Sequence, residues 1–131
     1  MAARAAPGGA WRLWVGAREV DEDECDRLRT FAAEMIFAHR RPVPVVAGSM
    51  ARAFPAATGL SICFVLADMA AEIARTWEPK DPYERALPRA LFEASALLAA
   101  DLFALQESGA ERATGRDLVT FWGAGDGYFL G

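Results

Sequence analysis

Between Leu60 and Trp77 the chain carries a helical pattern that is apolar almost all the way round, and nothing else in it restricts the fold as strongly. At 100° per residue, Ser61, Asp68, Glu72, Arg75 and Thr76 fall inside an arc of about 100°, leaving roughly 260° apolar. A surface helix needs an apolar stripe only a little over ~100° wide. The segment is therefore predicted to be a hub, packed on several sides by other helices or by another subunit. Its most apolar run, Leu60 to Ala74, is shorter than the ~18–20 residues of a membrane span and carries Asp68 and Glu72, so it is not a crossing helix.

Around this hub the punctuation is legible. Asp21 opens a helix as N-cap with Glu24 as its capping-box partner, and Cys25, Leu28, Ala32, Met35, Ile36 and His39 share one face. His39, Arg40 and Arg41 occupy the last turn, where cations suit the helix dipole, and Pro42 stops the helix. The Pro42-Val43-Pro44 run predicts an extended segment, after which Ser49 caps a short turn through Arg52 and Phe54. Thr58 or Ser61 caps the hub. A loop with Pro79 and Pro82 leads into a helix from about Tyr83 to Ser108, with Pro88 tolerated near its start and Gly109 ending it. Its apolar face is Leu87, Leu91, Leu98, Leu102 and Leu105, and a line of Ala96, Ala100 and Ala104 predicts close helix approach. Beyond it, Thr114 with Asp117 caps a short helix or Leu118 to Trp122 forms a strand; five residues fit either period. Gly123 to Gly127 is a turn. At the start, residues 1–10 form a flexible leader, and Trp11 to Val15 alternate as a short strand. The predicted fold is mainly α: a single domain over 11–131, a bundle of about three long helices around a buried central one, with short extended or strand segments near both termini.

Composition narrows function by exclusion. A net charge of −4 and a pI near 5 argue against a general nucleic-acid or anionic-membrane role, either of which needs a basic face. Lys80 is the only lysine among 14 basic residues, which together with the abundant alanine suggests a GC-rich bacterial genome. Cys25 and Cys63 sit in apolar patterns on separate helices, as buried reduced thiols would. No secretory signal is visible, and the expected location is the cytoplasm.

Each chemical candidate is outweighed by a structural role. His39 lies on an apolar face, but Glu34 is five residues away and an α-helix does not put that pair on one side, so no metal or cofactor site is expected. Asp68 and Glu72 are four apart on a greasy helix, with Arg75 on the same arc to neutralise either. Val45 to Ser49 resembles a strand running into a helix start, an anion-binding place with Arg52 at hand, but it has neither the lysine of a phosphate loop nor the glycine of a hydrolase elbow. Gly123, Gly125 and Gly127 are spaced wrongly for a dinucleotide fingerprint.

The two ends are richer. Trp11, Trp14, Phe121, Trp122, Tyr128 and Phe129 put 6 of the 14 aromatics in the first and last 14 positions, so both ends dock, on this molecule's own helices or on a partner. The leading expectation is a small non-enzymatic subunit, adaptor or inhibitor that binds another protein or itself through those aromatics. The alternative is a small-molecule binding protein or enzyme whose pocket lies between the hub and Pro42–Pro55, with His39, Arg41, Ser49 and Arg52 facing an anionic ligand.

Overall fold

The computed structural model describes residues 21–110, 112–125 and 127–131. The expected leader and the Trp11–Val15 strand, with Trp11 and Trp14, lie outside the described residues. Among the described residues the protein is mainly helical, with five α-helices: α1 (Glu22–Ala33), α2 (Val43–Ala53), α3 (Gly59–Thr76), α4 (Pro82–Glu107) and α5 (Gly115–Gly123). Among the described residues there is no strand, and only an isolated antiparallel bridge pairs Thr58 with Thr114. The helix count exceeds the expected three because α2 and α5 occupy segments read as extended or left open.

Asp21 caps α1 by accepting from the backbone N–H groups of Asp23 and Glu24. Glu24 does not close the predicted capping box. Its carboxylate instead accepts from the Thr58 N–H, at 3.4 Å, and so places a negative charge at the positive end of α3. Thr58 is the hub's cap, with Ser61 one turn inside, fully buried and sharing a 2.9 Å hydrogen bond with the Thr58 hydroxyl. At the other helix start, Thr114 and Asp117 make a reciprocal capping box, which decides the Leu118 to Trp122 segment for helix. The Thr58–Thr114 bridge joins these two starts through Gly59 N–H to Ala113 O and Gly115 N–H to Ala57 O, both 2.8 Å.

α1 ends in a π-helical turn, Glu34–Ala38, in which His39 N–H reaches back five residues to Glu34 O. The wider turn brings residues five apart onto one side. His39 Nε2 accordingly lies 3.7 Å from Glu34 Oε2, correcting the expectation that they cannot share a face. Arg40 then takes a left-handed φ of 50° that ends the helix. Its guanidinium reaches across to α4, 2.7 Å from Asp81 and 4.6 Å above the Tyr83 ring, while the Tyr83 hydroxyl donates to Arg41 O at 2.6 Å.

In the Pro42–Pro44 segment only Pro42 is extended, and Val43 and Pro44 already belong to a helix. Pro42 is the N-cap and Pro44 lies in the first turn, where an amide hydrogen would have no acceptor inside the helix. Ser49 consequently sits within α2 and caps nothing. α2 buries Val43, Val46, Ala47, Gly48, Met50 and Ala51 and touches each of the other four helices and the π turn. Two glycines permit this closeness. A Cβ on Gly48 would stand 1.9 Å from the Phe129 carbonyl oxygen, and one on Gly115 would stand 2.5 Å from Phe54 O.

The hub is buried on one side, with Ile62, Val65, Leu66 and Ala70 at the centre of the core, packed against α1, α2 and α4. It is not enclosed all round. Leu60, Cys63, Phe64, Ala67 and Ala71 form a half-buried strip along its outer flank. The polar seam is also arranged differently from expectation: Asp68 pairs with Arg29 of α1, not with Arg75, and so ties α1 to α3.

Candidate functional site

α4 places its leucines inward as predicted, with Leu87, Leu91, Leu98 and Leu102 buried beside Ala94 and Ser95. The close approach to α3 runs through Ser95, whose hydroxyl donates to Cys63 O at 2.9 Å, and not through the alanine line. Ala96, Ala100 and Ala104 face outward and are exposed, which corrects their expected role. With them stand Phe92, Leu97 and Phe103, exposed by 47, 45 and 65%. Between Glu93 and Glu107 the only ionisable side chain on α4 is Asp101, and its carboxylate accepts from Trp122 Nε1 at 2.8 Å. The outer face over those turns is thus apolar apart from the exposed Gln106 amide.

Two grooves flank this ridge. One, of about 620 Å³, is lined by Leu97 and Asp101 together with Phe121, Trp122, Tyr128 and Phe129. The other, of about 360 Å³, lies between Ala99 and Phe103 on one side and Leu60 and Cys63 of α3 on the other. The C-terminal aromatics are divided by position: Trp122 and Phe129 are buried, ring centres 4.6 Å apart, whereas Phe121 and Tyr128 are exposed by 37 and 43%. The first pair roofs the core of its own molecule, and the second borders the outer groove.

The residues named for an anionic ligand are not brought together. His39 and Arg41 are exposed after the π turn, at the start of α2. Arg52 is exposed near the other end of that helix, about 13 Å along at 1.5 Å per residue, within reach of the Leu130 carbonyl at 3.4 Å. Ser49 is half-buried between them. None of the four lines the grooves beside α4.

Among the described residues no cluster of His, Cys, Asp and Glu could hold a metal ion, and no helix is long and apolar enough to cross a membrane. Burial pushes the Cys25 and Cys63 thiols up from their ordinary range, against weaker opposition from hydrogen bonds to Ser61 and Ser95. At neutral pH both are therefore protonated thiols and poor nucleophiles. Cys25 is buried in the core as expected, whereas Cys63 is half-buried and borders the groove between α3 and α4. The outer face of α4, by contrast, was legible as residues and missed as a site, because an alanine line reads as interior packing whichever way it points.

No family model, curated protein or solved structure matches the chain.

Proposed function

We propose that this chain is a small non-enzymatic bacterial protein, a subunit, adaptor or inhibitor, that works by docking protein against the outer face of α4 and its bordering aromatics. The observation that carries the reading is the outward cluster of Phe92, Leu97 and Phe103 among exposed alanines, continued by Phe121 and Tyr128. Scattered exposed apolar residues are ordinary on any protein. A contiguous patch with aromatic anchors and little charge is what interfaces present. Two unpaired, proton-bearing thiols fit a reducing compartment, which supports action in the cytoplasm.

The test is native mass spectrometry of the protein from its own host, comparing wild type with Phe103→Glu. Phe103 is largely exposed, so the variant is expected to keep its helical circular dichroism. It is also expected to lose the chain that co-purifies with wild type. Identical co-purifying species for both proteins, with no binding of an apolar-surface dye to either, would sink the reading.

A further inference from the structure

The exposed stripe of α4 reads nearly the same in both directions. Phe92, Ala96, Ala99 and Phe103 follow one another at intervals of four, three and four residues, the spacing of a coiled-coil seam, and the order of residue types is symmetric about the point between Leu97 and Leu98. Such a pattern satisfies a two-fold interface, in which each residue must find its complement on an identical surface. We infer that the occupant of this face is a second copy of the chain, its α4 lying antiparallel across the first with the two-fold axis between Leu97 and Leu98. The inference rests on the docking reading above and names the partner.

The arrangement can be followed residue by residue. Antiparallel pairing about that axis sets Ala96 opposite Ala99 of the second copy and Ala99 opposite its Ala96. Methyl-sized side chains at the crossing let the helix axes approach to about 8 Å, the short end of the usual range. Phe92 meets Phe103 of the second copy at one end of the seam and Phe103 meets its Phe92 at the other, so the two most exposed apolar side chains of α4 are covered where the small ones cannot reach.

Charge fits the same register. Arg89 and Glu107 lie on the same angular side of α4, and the antiparallel pairing sets Arg89 and Glu107 of the second copy at levels only about one residue's rise, 1.5 Å, apart along the helix axis, twice by symmetry. Among the described residues Arg89 is held at home by Glu93, one helical turn on and 3.6 Å away, with both side chains largely in solvent. That pair is worth little and is readily exchanged. In a parallel pairing Arg89 would meet Arg89 and Glu107 would meet Glu107, so the charges favour the antiparallel choice.

Sedimentation of the full chain across a dilution series provides the test. Wild type is expected to be a reversible dimer. Ala99→Glu, which puts two carboxylates at the crossing, is expected to weaken association by about 100-fold or more while leaving the helical circular dichroism unchanged. Arg89→Glu alone and Glu107→Arg alone are each expected to weaken it about several-fold. Mixed together they should associate again: one chain then presents acid at both positions and the other presents base, so both cross-pairs are restored. A wild type that stays monomeric at every concentration overturns the proposal, as does a dimer indifferent to Ala99→Glu, or a mixture no tighter than its components. If the monomer still binds an apolar-surface dye and loses it on Phe103→Glu, the docking surface stands and only the second copy is refuted. A monomer without such binding refutes both.

Discussion

At Asp81 a single carboxylate closes the gap between two helices. It caps α4 by accepting from the Glu84 N–H, and it holds Arg40, the left-handed residue that ends the first helical segment. The backbone N–H first, and then the arginine, keep its carboxyl below the ordinary value of 3.8. A group whose folded value is depressed contributes stability that is complete above its unfolded value and is lost as the pH falls through the folded one. The joint between the π turn and α4 is thus expected to be intact down to about pH 4 and to loosen below it. Amide exchange of residues 39–41 and 81–85 against pH measures this, and Arg40→Gln should shift the loosening to higher pH. The thiols make the complementary expectation. Since burial raises both, native Cys25 and Cys63 should alkylate slowly even at mildly alkaline pH and fast once denatured, as intact mass would show. Rapid native labelling of Cys63 would mean that the groove between α3 and α4 opens further than its geometry suggests.

Among the elements, most helix caps and stops were legible in the sequence, and residues whose partner is distant were not. Asp21, Thr58, Thr114 and Pro42 each acted on the backbone beside them, as cap or stop. Glu24 stands in a capping-box position yet serves α3, 34 residues away, and Asp68 found Arg29 instead of an arginine on its own helix. The Pro42-Val43-Pro44 segment failed for a different reason. Proline disfavours helix in the residue before it except where the proline lies in the first turn, so α2 begins at Val43 and not at the expected short turn after Ser49. The seam around Asp68 has an energetic counterpart. Leu66 is fully buried, so Leu66→Ala should cost ~2–5 kcal/mol. Asp68→Asn breaks a half-buried pair and should cost about 1–2 kcal/mol, between the values for exposed and buried pairs. Urea unfolding measured by circular dichroism distinguishes the two, and equal losses would put Asp68 in the core.

For the molecule as a whole, α2 is the helix that touches every other one, whereas the long apolar hub packs chiefly on α4. The one glycine of α2 lets the last described segment lie against it, with Phe129 O where a Cβ would otherwise stand. Gly48→Ala is expected to cost about 2–4 kcal/mol, the loss of a docked aromatic offset by about 1 kcal/mol of helix propensity. Removing residues 118–131 takes away Leu118, Trp122 and Phe129 together and is expected to leave a chain that aggregates or melts far below the full one, since those losses rival a whole domain's stability. Thermal melts of both variants check this. A truncated chain with an unchanged melt would mean that Trp122 and Phe129 lie on the core without supporting it.

The covering of α2 by the C-terminal segment has a consequence during synthesis. Arg52 and the Leu130 carbonyl it reaches are 78 residues apart in the chain. At the usual about 5–20 residues per second, α2 waits roughly 4–16 s for its cover after it has been made. Throughout that interval the face of α2 that Phe129 later covers stays open, while α1, α3 and α4 can pack on its other sides. A ribosome that halts anywhere short of Phe129 releases a product in that condition, one that quality-control proteases and chaperones are suited to recognise.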